Sequence, residues 1–192
     1  MRFAEINRKT KETDIEIKLN LDGSGKTDIS TGIGFFDHML TAFAVHGGMD
    51  MTVRVQGDLH VDGHHTVEDT GIVLGTAFKQ AIGDMKGIAR YGTSFIPMDE
   101  ALGFCCLDIS NRPFLVFNAV FSDDRIGSFD SCLTEEFFRA FAFNAGITLH
   151  IKCEYGKNDH HIAEAIFKAA AHALKDAKAL VGNEILSTKG VL

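Results

Sequence analysis

The strongest constraint on this chain is that it states one pattern twice. His64-His65-Thr66-Val67-Glu68 returns as His160-His161-Ile162-Ala163-Glu164, 96 residues later and half of the 192-residue length. Downstream, Ala77, Lys79 and Ala81 align with Ala173, Lys175 and Ala177; upstream, residues 52–55 align with 148–151. With a two-residue slip, Ala42-Phe43-Ala44 meets Ala140-Phe141-Ala142, and Gly48 meets Gly146. Matches that keep their order through both halves argue for a duplicated unit of about 90 residues. We divide the chain into residues 1–90 and 91–192, two repeats of one compact subunit.

Both halves read alike. Residues 13–21 alternate, with Ile15, Ile17, Leu19 and Leu21 on one side, as a half-buried strand does. Asp22-Gly23-Ser24-Gly25 predicts a hairpin turn, with residues 26–30 as its return strand. Residues 35–46 are apolar at helical spacing and close on Gly47-Gly48. A strand over 49–56, a polar loop over 57–63 and a long helix over 64–84 follow. The second half predicts strands near 94–98, 103–110 and 113–121, a helix over 134–144, a strand over 147–154 and a helix over 159–180. The predicted class is α+β: two strand-strand-helix-strand-helix units, each a sheet with helices on one face. Neither half has enough core alone, so helices of the two halves should pack together. Trp is absent and Phe occurs 16 times, so Phe must supply the aromatic core.

Charge and composition exclude several function classes. A net charge of -7 disfavours nucleic-acid binding. No run of 18 apolar residues predicts a membrane span. The polar, charged start lacks the apolar stretch of a secretion signal, and the expected location is the cytoplasm. Cys105, Cys106, Cys132 and Cys153 form no C-x-x-C pair, and we read all four as small core hydrophobes rather than disulfides or zinc ligands.

The nine histidines carry the chemistry. Each H-H-x-x-E opens a helix. There the first His and the Glu lie about 40° apart around the axis, and the second His and the Glu about 60° apart on the other side. One His and the Glu can grip one metal while the other His turns toward a second. Imidazole with carboxylate suits manganese, iron or zinc. The Glu does not lie between the histidines, as it does in the zinc-peptidase H-E-x-x-H. Each motif supplies three ligands at most, so another element must complete a site. Asp37-His38 is one candidate, and Glu135-Glu136 is its repeat counterpart. His46 is a weaker candidate, since a histidine near a helix C-terminus also suits the dipole there. His150 reads as a strand residue and His172 as a helix-surface residue.

At this point the residues resemble a known family. The motifs are Thr10-Lys11-Glu12-Thr13, Leu21-Asp22-Gly23, Phe36-Asp37-His38-Met39-Leu40, His64-His65-Thr66-Val67-Glu68-Asp69 and Lys86-Gly87-Ile88-Ala89-Arg90. They continue with Met98-Asp99-Glu100-Ala101, Asn111-Arg112-Pro113, Asn158-Asp159-His160-His161 and the closing residues 187–192. Together they span nearly the whole chain and resemble the imidazoleglycerol-phosphate dehydratase family. The resemblance implies a duplicated α+β subunit and a cage of 24 subunits with manganese sites at subunit contacts. It also implies loss of water from imidazole glycerol phosphate to give imidazole acetol phosphate in histidine biosynthesis, through a metal-bound imidazolate.

The resemblance implies a metal set of His38, His64, His65, Glu68, Glu136, His160, His161 and Glu164, with two Mn2+ per subunit. Glu12 is the implied base, with Glu68 and Glu164 as metal-bound alternatives. Glu12, His46, Arg90, Arg112, Ser187 and Lys189 are the implied substrate contacts, the cations and Ser187 toward phosphate. Arg112 is expected in a hairpin turn from which it can reach a neighbouring subunit. The tail, residues 187–192, is expected to order over substrate. Two positions depart from the family's pattern: Glu136 stands where a His is common, and Ala42 where some members have Gln. A metal-locked structural shell and a di-metal hydrolase on the same scaffold are the competing readings.

Overall fold

A computed structural model describes residues 2–192. The first repeat runs β1 (Phe3–Lys9), β2 (Thr13–Asn20), β3 (Thr27–Ser30), α1 (Gly34–Gly47), β4 (Asp50–Gly57) and α2 (His64–Ile82). The second runs β5 (Tyr91–Met98), β6 (Ala101–Ile109), β7 (Phe114–Asn118), a small ribbon of β8 (Arg125–Ile126) and β9 (Phe129–Asp130), α3 (Leu133–Ala145), β10 (Ile147–Tyr155) and α4 (Asp159–Ala177). The main sheets have the orders β1-β2-β4-β3 and β5-β6-β10-β7, strand for strand the same topology. The class is α+β with two repeat-like halves, each with one more leading strand than the predicted unit. The slipped alignment holds at the helix ends: α1 stops at Gly48 (φ 61°) and α3 at Gly146 (φ 73°). Both are left-handed caps that glycine enters without a Cβ penalty.

Three readings need completing or correcting. The polar N-terminal stretch, to which the sequence reading assigns no element, forms β1, an edge strand antiparallel to β2. It buries only Ala4, so its charged side chains hide the apolar alternation that marks a strand. The second correction concerns Asp22–Gly25, which is not a hairpin turn. β3 runs parallel to β4, and β4 lies between β2 and β3. Asp50, at the start of β4, accepts from the backbone N–H of Ser24 at 2.7 Å and of Lys26 at 3.0 Å. Those charge-assisted bonds tie the turn to β4 instead of folding it back on β2. The same topology takes Arg112 out of a hairpin, because β7 pairs in parallel with β10. The third correction is Cys132, which is exposed at the start of α3 while Cys105 is buried. All four cysteines are free thiols.

The halves meet through their helices. α2 lies on β1 and β2, and α4 on β5 and β6; α1 packs on α4, and α3 on α2. The seam is phenylalanine. Phe36 and Phe43 of α1 meet Phe137 and Phe141 of α3, Phe141 also meets Phe78 of α2, and Phe137 stacks on Phe167 of α4 at 5.3 Å. Such aromatic pairs add about 0.5–1.5 kcal/mol each beyond their buried area. The outward faces of the two sheets differ. On the first, Lys18 pairs with Glu5 and Glu16, and Arg54 with Asp28. On the second, Phe95 and Phe104 form a tilted pair with ring centroids 4.7 Å apart, and Tyr91, Phe95, Phe114 and Val116 are exposed. Among the described residues, no helix is long and apolar enough to cross a membrane.

α4 sits close on its sheet. A Cβ on Gly103 of β6 would meet the Ala165 carbonyl carbon and oxygen at 2.6 Å, and one on Gly92 would run into the Ala173 carbonyl. Backbone cannot step aside as a flexible side chain can. Gly103→Ala should therefore destabilise the fold by about 1–3 kcal/mol, the usual cost of overpacking. A fall in the urea midpoint checks this, and an unchanged midpoint would show that α4 yields.

Candidate active site

The two histidine motifs occupy the first turns of α2 and α4, as the spacing predicts. In α4, Asn158 caps the helix by accepting from the His160 N–H at 2.9 Å. This fixes His160 and His161 at the first turn. His160 Nε2 lies 3.3 Å from Glu164 Oε2, one helical turn on. His38, from the first turns of α1, reaches the same oxygen at 3.6 Å. His38, His160 and Glu164 thus offer three ligand atoms within 4.8 Å of one another. Glu164 is only 7% exposed, and Lys168 Nζ donates to its other oxygen at 2.7 Å. Burial pushes the Glu164 carboxyl up, but Lys168, His38 and His160 outweigh it and hold the group below the usual carboxylate range.

The first repeat builds half as much. His64 Nε2 lies 3.5 Å from Glu68 Oε2. Glu136, the counterpart of His38, pairs instead with Arg139 of its own helix at 3.7 Å. Among the described residues, no third ligand joins His64 and Glu68.

The second histidine of each motif is held differently from the first. His65 Nδ1 lies 3.0 Å from Asp58, and His161 Nδ1 lies 2.7 Å from Glu100. An ionised carboxylate only accepts, so Nδ1 is the donor in both rings. In the neutral ring Nε2 then carries the lone pair, the arrangement that orients a ligand histidine; Asp99 lies 3.7 Å from that of His161. The acids also raise both imidazole pKa values, Asp58 for His65 and Glu100 for His161. Glu100 is itself pushed down to about 2, by the Asn158 backbone N–H first and His161 second. Glu12 occupies the β1–β2 turn, the counterpart of the turn that carries Glu100. It contacts His65 Nε2 at 3.9 Å, its one ion-pair neighbour among the described residues.

The cations form a separate cluster. Arg90, Arg112, Ser187 and Lys189 line one cavity of about 820 Å³, with Ser110, Asn111 and tail residues. Asp108 anchors both guanidiniums: it accepts from Arg90 Nε at 2.7 Å and from Arg112 at 3.4 Å. Arg90 also donates to the Leu186 carbonyl at 2.5 Å, which holds the tail against the cavity. Arg90 (φ 72°) and Asn111 (φ 55°) take left-handed backbone, unusual for residues other than glycine. Among the described residues, no histidine lines this cavity.

His46 is not isolated, and His172 is not a plain surface residue. Their rings bond Nδ1 to Nε2 at 3.2 Å across α1 and α4. Burial first, then His172 and Lys168, lower the His46 pKa. The sequence reading misses Asp58, Asp108, Lys168 and the partner role of Glu100. Lys168 had a signal, since it follows Glu164 by four residues on one helix face. Asp58 and Asp108 had none, because loop and strand pairing bring them in from a distance.

Imidazoles converging on a carboxylate, together with a separate pocket of anchored arginines, suit a lyase that acts on a phosphorylated small molecule. The imidazoleglycerol-phosphate dehydratase family model matches residues 31–174, and the chain belongs to that family. It is therefore a hydro-lyase of histidine biosynthesis. It is 58% identical to the imidazoleglycerol-phosphate dehydratase of Acetivibrio thermocellus, over all of this chain and 99% of that one. It is 57% identical to that of Gluconobacter oxydans, over 100% and 98%. The crystal structure of the Staphylococcus aureus enzyme superposes with a TM-score of 0.84 at 43% identity, covering 94% of this chain and 99% of that one. The structure from Pyrococcus furiosus, in complex with (S)-C348, gives 0.85 at 39% identity, covering 97% and 100%.

Glu100→Gln, in chelator-treated protein, should lower the His161 titration midpoint toward the ordinary histidine value of about 6.5. His65, held by Asp58, should not move. The sign follows from a raised pKa: the Glu100–His161 pair stabilises the fold fully below the unfolded value and is lost as pH rises through the folded one. NMR titration of the two rings checks this, and an unmoved His161 would refute the pairing.

Proposed function

We propose that the chain is a manganese-dependent enzyme that converts imidazole glycerol phosphate to imidazole acetol phosphate and water. The observation that carries this reading is the convergence of His38, His160 and Glu164. Nitrogen and carboxylate donors without thiolate fit manganese. The expected ligands are His38, His64, His65, Glu68, Glu136, His160, His161 and Glu164, for about two ions per subunit. Glu136 must release Arg139 to take part. Bound manganese would supply Lewis acidity toward the ring nitrogens of the substrate.

The residues divide the remaining work. Arg90, Arg112, Lys189 and Ser187 hold the phosphate, and Asp108 keeps the two guanidiniums aimed into their cavity. His46, steadied by His172, adds a contact. The product carries its ketone on the middle carbon of the side chain. The hydroxyl therefore leaves the carbon next to the ring, and the proton leaves the middle carbon. Its C–H electrons form the C=C bond as the C–O bond breaks, and the enol then ketonises. Glu12 fits the role of base better than Glu100, whose oxygens already take two backbone N–H groups and His161. Glu68 and Glu164 are the alternatives, each facing imidazoles.

Self-association is part of the proposal. The cation cavity and the histidine clusters are separate on one chain, so a neighbour must bring them together. The aromatic outer face of the second sheet supports association, since exposed apolar surface of this kind marks contact sites. A closed assembly of 24 subunits and a cytoplasmic location are the expectation.

Chelation should abolish activity, and manganese should restore it. His160→Ala should weaken manganese binding by about 10–100-fold or more and reduce the light-scattering mass. Unchanged metal content and mass would sink the placing of metals at contacts. Arg90→Ala and Lys189→Ala should each raise KM by about 10–100-fold, from about 1.5–3 kcal/mol per lost charged hydrogen bond. A mere metal-locked shell would show no turnover to lose.

A further inference from the structure

Asp69 follows Glu68 in α2, but its carboxylate is taken up by strands β1 and β2 rather than by the histidines. Its counterpart in the second repeat is Ala165, so whatever it does belongs to the first site alone. The carboxylate is buried at 6% exposure. Thr13 Oγ1 donates to Asp69 Oδ2 at 2.5 Å, and Arg8 Nη1 lies 2.7 Å from the same oxygen. Arg8 Nη1 has no aligned hydrogen-bond acceptor, so the Arg8 contact is ionic. Both partners come from the strands that flank the turn carrying Glu12. The chain of contacts continues into that turn. Thr13 Oγ1 lies 3.3 Å from Thr10 Oγ1, which accepts from the backbone N–H of Glu12 at 3.1 Å and of Thr13 at 3.0 Å. The Glu12 carbonyl accepts from the Asp58 N–H at 3.1 Å, next to the carboxylate that orients His65.

A buried carboxylate that serves only to cap a strand does not need partners on both sides of a turn. We infer that Asp69 is a positioning residue: through Thr13 and Arg8 it fixes the β1–β2 turn against α2, and so sets the distance from Glu12 to the His64-His65-Glu68 end of the helix. The second repeat needs no such clamp. There the turn is fixed by Glu100 itself, which binds the N-terminus of α4 directly. The first turn has to hold its carboxylate free of such bonds, and Asp69 supplies the rigidity from behind. The inference rests on the reading of Glu12 as the base.

The test uses the manganese-loaded assembled enzyme. Asp69→Ala and Thr13→Val should each lower kcat, by up to about 10²-fold, the effect of an ångström-scale misplacement at a reacting centre. KM should stay within about twofold, because the phosphate contacts lie elsewhere. Metal content and assembly mass should match wild type; Thr13→Val retains the side-chain branching and tests the same link if Asp69→Ala folds poorly. Glu12→Asp supplies the second arm. If Asp69 acts through Glu12, Asp69→Ala added to Glu12→Asp should cost much less than it does alone. Independent multiplication of the two effects, or a loss in KM rather than kcat, would overturn the positioning role. Wild-type turnover in Glu12→Gln would overturn the assignment of Glu12 itself, a distinct result.

Discussion

His38 reaches Glu164 only because a helix of the first repeat packs on a helix of the second. The two residues are far apart in sequence, and no local rule joins them. What joins them is the phenylalanine seam, in which Phe137 meets Phe36, Phe43, Phe141 and Phe167. The seam fixes the offset of α1 on α4, and with it a distance of 3.6 Å at the histidine cluster. Burial supplies the force, and ring geometry supplies the register. The close seating of α4 on β5 and β6 fixes its other side. The first turn of α4 therefore stands on a rigid base, which is what a site needs if its ligands are to be held to fractions of an ångström.

The two repeats share a topology but not a chemistry. Each has a His–Glu pair one turn apart and a second His held at Nδ1 by an acid. The acids come from different places: Asp58 from the β4–α2 loop, Glu100 from the β5–β6 turn. One substitution of role leaves Glu12 free, and the other consumes Glu100. The third member differs as well, His38 against Glu136. Two sites that began with one plan thus offer different surroundings to whatever they bind.

Much of this was legible in the sequence, and what was not has a common cause. The repeat, the helix starts at His64 and Asp159, and the His–Glu spacing depend on neighbours within four residues, which a periodic reading sees. The glycine stops at Gly48 and Gly146 are local too. β3 was assigned to the wrong partner because the decision lies with Asp50, more than 20 residues from the turn it ties. β1 hid behind its charges. Asp108, Asp58 and Asp69 carry no pattern of their own; a lone aspartate beside a strand looks like solvent-facing charge until its partners are in place. His172 looked ordinary for the same reason, since only helix packing sets it against His46.

A symmetric pair of identical chains must build both of its ends alike, since every contact is made twice. The joined halves escape that rule. With both copies on one chain, Ala165 can fill the place of Asp69, and Glu100 can be spent on helix α4 while Glu12 stays available. The near-identical sheet orders record the shared plan, and the unequal turns record what linkage permitted. Covalent fusion is here the condition for specialisation: one end is free to become the anchor because the other no longer has to be its copy.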